Sequence, residues 1–180
     1  MIYVVNGFPG SGKTTFEDIC CKTLKIYGHK ISTVDFVKII ARACGWNGLK
    51  TPENRKFLSD LKDLLTKWND VPFKEIVKAI DKIRLQFKNY DMDFKKCVIF
   101  IDCREPDEIE KICTQLNAKS ILVRRAKVEQ DLQSNHADSN ILDYSYDIII
   151  ENNGSLEDLE AAALTFMRSE NLIDKEKDPS

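Results

Sequence analysis

The run that most constrains this chain starts at its seventh residue. Ile2–Asn6 is apolar and β-branched, and it gives way at once to Gly7-Phe8-Pro9-Gly10-Ser11-Gly12-Lys13-Thr14. An apolar run closed by a Gly/Pro/Ser cluster reads as a short buried strand. From Lys13 onward, Phe16, Ile19, Cys20, Thr23, Leu24 and Tyr27 recur at helical spacing, with Gly28 placed to terminate the helix. Strand, glycine-rich turn and helix therefore follow one another without a break. The turn satisfies G-x-x-x-x-G-K-[ST] in full. Its glycines allow the backbone angles that aim successive N–H groups at phosphate oxygens. Lys13 supplies a mobile charge for outer phosphates, and the Thr14 hydroxyl suits Mg²⁺. The helix adds its positive end beneath the anion. The run thus implies a nucleoside triphosphate with Mg²⁺, and leaves open what becomes of the γ-phosphate. GTPases, ATPases, nucleotide sensors and small-molecule kinases all use such a cradle.

The remaining sequence narrows the field. With 180 residues the chain is short for a motor ATPase, and it contains no Asn-Lys-x-Asp guanine-reading sequence. Its 27 basic and 29 acidic residues leave a net charge of −2, which gives no global attraction to nucleic acid or anionic membranes. No apolar run reaches the roughly 18 residues that cross a bilayer, and a cleaved leader would remove the run at Gly7. The six cysteines (Cys20, Cys21, Cys44, Cys97, Cys103 and Cys113) show no C-x-x-C pairing and mostly occupy apolar positions. They read as free thiols in a reduced, cytoplasmic setting.

Strands and helices alternate along the chain. Further strands are expected at 30–34, 97–102, 120–124 and 147–151. Helices are expected at 36–44, from Thr51-Pro52-Glu53 onward, from Asp70 and Pro72 onward, at Pro106–Leu116 and at 156–168. Phe57, Leu58, Leu61, Leu64, Leu65 and Trp68 form the apolar stripe of one of these helices, and Ser155 with Asp158 resembles a capping box. The stretch 126–146 reads as irregular and polar, and 174–180 as a frayed tail. The clearest strands are apolar on both faces, so the fold class is α/β, a parallel sheet covered by helices on both sides. Oligomeric state stays open, since no exposed apolar stripe can be told from the core pattern.

In such a sheet the ligand crevice lies at the carboxyl ends of the strands. Asp102, ending an apolar strand, is placed to hold Mg²⁺ water or the Thr14 hydroxyl, or else to cap the helix that follows, a role Glu105 could also fill. Arg104 enters the same crevice and suits a phosphate. Asp35 ends the second strand and reads equally as a helix cap or a substrate contact. Lys38, Arg42, Trp46 and Arg55 follow it as candidate substrate contacts. Arg124 and Arg125 open the stretch 125–146, a candidate lid. His136 lies there without metal-ligand company. A hydroxyl acceptor needs a carboxylate to take its proton. A phosphomonoester has a second pKa of about 6 and needs only cations to hold two anions in line. The basic residues downstream of each strand fit the second case.

These residues resemble the P-loop kinases of the nucleoside monophosphate kinase superfamily, above all phage-type deoxynucleoside monophosphate kinases and animal-type phosphomevalonate kinases. The resemblance covers most of residues 1–168. It rests on the phosphate loop, on Gly45-Trp46-Asn47-Gly48 with Lys50 and Arg55, and on Asp102-Cys103-Arg104. A polar stretch with Asp138 and Asp143, then Tyr146-Asp147-Ile148-Ile149-Ile150-Glu151-Asn152-Asn153-Gly154, completes it. Asp102-Cys103-Arg104-Glu105-Pro106 stands where adenylate kinases carry Asp-Gly-Phe-Pro-Arg. The resemblance implies a single P-loop NTPase-type domain over 1–180, a three-layer sandwich with a five-stranded parallel sheet in the order 2-3-1-4-5. It implies a substrate-binding helical segment at 36–90 and a lid at 125–146, while the charged, apolar-poor stretch 169–180 reads as a flexible tail. It also implies ATP on Gly10, Ser11, Gly12, Lys13, Thr14 and Thr15, the adenine near Asn152, Asn153 and Gly154, and Arg124 or Arg125 near the transferred phosphoryl group. The acceptor it implies is a small phosphomonoester such as a (deoxy)nucleoside monophosphate. A kinase of a hydroxyl acceptor with Asp35 as base, and a catalytically weak nucleotide-binding regulator, remain the alternatives.

Overall fold

In the computed structural model, which describes residues 1–49, 51–131 and 139–174, the β-branched runs assemble into one sheet. Its strands are β1 (Ile2–Asn6), β2 (Gly28–Ser32), β3 (Val98–Asp102), β4 (Lys119–Arg124) and β5 (Ile148–Glu151), in the order β2-β3-β1-β4-β5. β1 runs parallel to β3 and β4, and β4 runs parallel to β5. Parallel neighbours need crossover connections, which helices supply. The helices are α1 (Lys13–Leu24), α2 (Asp35–Ala43), α3 (Pro52–Asn69), α4 (Val71–Asn89), α5 (Pro106–Leu116), α6 (Ala126–Asp131) and α7 (Leu156–Ser169). The sheet order is the one the resemblance implies. No helix among the described residues is long and apolar enough to cross a membrane.

The chain divides into two units, Met1–Lys30 with Lys95–Ser180, and Ile31–Phe94. In the first unit, alternate residues of the strands point to opposite faces. Tyr3, Val5, Phe100, Ile121 and Val123 meet Phe16 and Cys20 of α1 and Phe166 and Met167 of α7. Tyr3 stacks on Phe100 with ring centroids 5.8 Å apart and meets Phe166 edge-on at 5.2 Å. Val4, Ile99 and Ile101 alternate with that set and are buried, as are Ile109 and Ile112 of α5, the helix that contacts β1 and β4. Helices thus cover both faces. In the second unit α4 buries Ile76, Ile80, Ile83 and Phe87, and α2 buries Val37 and Ala41.

Several local expectations hold with their chemistry. Thr51 caps α3 by accepting from the Asn54 N–H at 3.3 Å, with Pro52 in the first turn. Ser155 and Asp158 form the reciprocal capping box of α7. All six cysteines are free. Burial pushes the Cys20 thiol up to about 12 and the Cys97 thiol to about 11, so both remain protonated apolar groups.

Four expectations are corrected. Gly28 does not terminate α1: the helix ends at Leu24, Lys25 takes the positive φ of 55°, and Gly28 opens β2 with φ −95°. A Cβ at Gly28 would lie 2.8 Å from the Cys21 Cα, so the glycine serves close packing. Asp35 is the first residue of α2 rather than its cap, and its Oδ2 accepts from the Ser32 N–H at 2.8 Å. The stretch 126–146 is not wholly irregular, since it holds α6 and a 3₁₀ turn at Ser139–Asp143. The stretch 169–180 is not a tail from its start: Ser169 ends α7, the Glu170 carboxylate accepts from the Tyr3 hydroxyl at 2.8 Å, and Leu172 and Ile173 pack against the core. On α3 no residue is buried, and Phe57, Leu64 and Trp68 of its apolar stripe are exposed. Lys50, His136, Asp138, part of the expected lid (132–138) and the end of the expected tail (175–180) lie outside the described residues.

Phe166 touches Tyr3, Phe16 and Phe100 in the core between α1, α7 and the sheet. Truncation to alanine is expected to cost about 3–5 kcal/mol, measured as a shift of the urea midpoint. A loss below about 1 kcal/mol would contradict this packing.

Candidate active site

All of the phosphate-loop geometry lies within the first unit. Gly7 follows β1, and a Cβ there would fall 2.6 Å from both the Val123 carbonyl oxygen of β4 and the Ser11 Oγ. Only glycine lets the loop close so tightly over that strand. Gly10 and Gly12 take φ of 86° and 94°, the left-handed region that L side chains avoid. The Ser11 N–H donates to the Phe8 carbonyl at 3.0 Å, closing a turn, and the Phe16 N–H to the Gly12 carbonyl at 2.9 Å starts α1.

Two asparagines fix this loop from outside. Asn6 accepts from the Gly7 N–H at 2.8 Å through Oδ1, and its amide donates to the Arg104 carbonyl at 3.1 Å and the Tyr146 hydroxyl at 2.7 Å. It thereby ties the end of β1 to the segments following β3 and preceding β5. Asn152 donates from Nδ2 to the Ser11 carbonyl at 2.8 Å, and its backbone N–H donates to the Arg124 carbonyl at 2.8 Å. A Cβ at Gly12 would stand 2.2 Å from that Nδ2, so the asparagine occupies the space the glycine leaves. Asn153 accepts from the Ala126 N–H at 2.7 Å, and Gly154 makes room for the Asp158 carboxylate.

Lys13 is buried and forms an ion pair with Asp102 at the end of β3. Asp102 does not open α5, whose capping position is Glu105. The pairing of Val5 with Asp102 across β1 and β3 sets the carboxylate beside the start of the loop. One turn beyond Lys13 on α1, Glu17 is 1% exposed, and its Oε1 has no hydrogen-bond partner among the described residues. Burial, and next the Asp102 carboxylate, push the Glu17 carboxyl up to about 8 against the opposing pull of Lys13 and Lys30.

The remaining residues picked out in the sequence fall into distinct settings. Thr14 and Thr15 are exposed on the first turn of α1, and Arg104 is exposed beyond β3. Arg124 forms a bidentate pair with Glu129 of α6 at 2.9 and 2.7 Å and lies 3.9 Å from Glu151. That pairing holds the Glu129 carboxyl below its usual range. Arg125, half-buried, is the next residue, and its carbonyl accepts from the Val128 and Glu129 N–H groups of α6 at 2.9 and 3.1 Å. In the second unit, Asp35 Oδ1 lies 3.5 Å from Lys38 Nζ. The Arg42 guanidinium lies over the Trp46 ring at 5.6 Å, and Arg55 is exposed on α3. Sequence reasoning missed Glu17, Asn6 and the loop-anchoring role of Asn152. The first signal was available: Lys13, Glu17, Cys20 and Leu24 share one helical face, so an acid shares the buried stripe.

The residues fit a polyphosphate and its cation. α1 begins with no side-chain cap and no acid in its first turn, whereas α5 carries Asp107 and Glu108 and α7 its capping box. A helix start of that kind suits an anion. The Ser11 Oγ is fully buried with no partner among the described residues. Thr14 and Asp102 offer the hard oxygen donors Mg²⁺ takes. Among the described residues no group of three or more His, Cys, Asp or Glu could hold a metal ion.

No protein-family model matches the chain, and no curated protein matches it. Solved structures do resemble it. Dephospho-CoA kinase from Campylobacter jejuni is 17% identical with a TM-score of 0.48, over 93% of this chain and 96% of that one. Shikimate kinase from Bacteroides thetaiotaomicron is 14% identical with a TM-score of 0.46, over 94% and 97%. TT1252 from Thermus thermophilus is 21% identical with a TM-score of 0.43, also over 94% and 97%. At this level of likeness, the chain's function is read from its own residues.

The buried acid gives a pH prediction. A carboxyl raised from 4.5 to about 8 in the folded state favours folding most below its unfolded pKa, and that contribution is lost as pH rises through about 8. Urea midpoints should therefore fall between pH 6 and 9, and Glu17→Gln should flatten that fall. Equal slopes in the two proteins would contradict the burial of this acid.

Proposed function

We propose that the chain is a phosphotransferase that moves the γ-phosphate of ATP to a small phosphomonoester, most plainly a (deoxy)nucleoside monophosphate. The observation that carries the reading is the glycine loop on an uncapped helix start, with Lys13 held on Asp102. In this proposal the N–H groups of Gly10, Ser11, Gly12, Lys13, Thr14 and Thr15 hold the donor's phosphates. Lys13 offsets the charge of the outer ones. Bound Mg²⁺, held by Thr14 and Asp102, would neutralise charge building on the phosphate oxygens. Asn152, Asn153 and Gly154 lie toward the adenine through backbone groups. Arg104 and Arg125 stabilise the transferred phosphoryl group, and Lys38, Arg42, Trp46 and Arg55 serve the acceptor. The segment 125–146 acts as a lid.

Asp35 bears on the acceptor class. Its Oδ2 accepts from the Ser32 N–H at the end of β2 and its Oδ1 lies 3.5 Å from Lys38, so both oxygens face partners within the chain. A general base must instead aim at the acceptor's hydroxyl. This favours a phosphomonoester, which is already anionic at neutral pH.

A catalytically weak nucleotide-binding regulator is the second reading, and one observation favours it. Arg124 is engaged by Glu129 through both arms of its guanidinium, which thins the set of arginines open to the transferred group.

Measuring ADP release from ATP and Mg²⁺ against nucleoside monophosphates, non-nucleotide phosphomonoesters, nucleosides and DNA separates these readings. The expected result is turnover with a phosphomonoester alone, and Asp35→Asn changing kcat by less than about tenfold, below the 10²-fold or more of a lost general base. Turnover confined to nucleosides or DNA, abolished by Asp35→Asn, would overturn the assignment. ATP binding with no acceptor-stimulated turnover would establish the regulator.

A further inference from the structure

α3 spans 18 residues, Pro52–Asn69, with none of them buried. Its apolar residues are not scattered. Phe57, Leu61, Leu64 and Trp68 recur at intervals of four, three and four. At 100° per residue they fall within an arc of about 60°. That spacing is the seam of a paired helix, in which each apolar knob enters a hole on a facing helix. Leu61 sits half-buried at the inner edge of the seam, while Leu64 is 63% and Trp68 81% exposed. An exposed apolar stripe of this kind marks a binding face.

The charges beside the seam bear on what covers it. Asp60 and Lys67, one heptad apart, flank it on the outer side, and Asp60 also holds an exposed pair with Lys56 of its own helix at 2.7 Å. We propose that the α3 face binds the α3 face of a second copy of this chain, antiparallel and about a two-fold axis between Leu61 and Leu64. In that register Phe57 meets Trp68 of the second copy, and Leu61 meets its Leu64. Asp60 then lies beside Lys67 of the second copy, and the two-fold repeats the pairing. A parallel arrangement would instead set Asp60 beside the apolar Leu65 of the other copy. Antiparallel self-pairing is thus the arrangement in which apolar and charged positions are both complementary, and an isologous contact closes at two copies. A helix of this length offers about 27 Å of contact, so the dimer is expected to dissociate reversibly on dilution.

Sedimentation equilibrium of the full chain over a range of concentrations tests this. The expected result is a monomer–dimer equilibrium whose dissociation constant rises at least tenfold in Leu64→Glu and in Trp68→Lys, with circular dichroism unchanged. Because Trp68 is so exposed, its substitution keeps the test available if Leu64→Glu fails to fold. Lys67→Asp should weaken association, and the double variant Asp60→Lys/Lys67→Asp should restore it. A monomer at all concentrations would overturn the proposal, as would a dimer indifferent to Leu64→Glu and Trp68→Lys. A double variant no better than Lys67→Asp alone would overturn the antiparallel register. A monomer in which Trp68→Lys slows phosphotransfer would assign the face to the chain's own catalytic cycle instead.

Discussion

A buried lysine at the start of a helix stands where the backbone already carries partial positive charge. Lys13 occupies that position, and the Asp102 carboxylate beside it makes the arrangement tenable. Removing one partner of such a pair leaves an uncompensated charge in a dry place, which costs far more than the pair itself contributes. The sheet therefore has to deliver Asp102 to one spot. It does so through backbone register, since Val5 pairs with Asp102 only when β1 and β3 run parallel and in phase. Central placement of β1 follows from the same need, because the loop it feeds must be gripped from both sides.

That grip is built from amides and packing rather than from further ions. Asn6 holds the loop's first N–H, and Asn152 holds the Ser11 carbonyl. Val123 lies close under Gly7. Neutral partners leave the local field to Lys13, Asp102 and the helix end. Glu17 is consistent with this economy: burial keeps its carboxyl protonated into the neutral range, so it adds little negative charge beneath the loop.

The phosphate loop and the individual strands were legible because their signals are local, while the strand order was implied only by the family resemblance. Turn glycines, a lysine and a β-branched run each announce themselves within a few residues. The capping box of α7 and the proline start of α3 were legible for the same reason, as Ser155 and Thr51 show. What the sequence hid depended on distant neighbours. Gly28 looked like a helix terminator, but it is small because Cys21 lies against it, and Lys25 turns the chain. Arg124 looked available for catalysis until α6 brought Glu129 back onto it. The stripe on α3 had the periodicity of a core face, and periodicity does not say whether a face is covered. Net charge was equally blunt: a value of −2 is silent about a buried ion pair at one strand end.

The central claim is that the Gly7–Thr14 run is a phosphate cradle whose working cation is Lys13. Calorimetric titration of the wild-type protein and of Lys13→Ala with ATP and Mg²⁺ tests it directly. The account predicts one saturable site per chain, weakened at least tenfold in the variant, a loss of about 1.4 kcal/mol or more. Absence of binding to the wild-type protein, or equal affinity in the two, would contradict it.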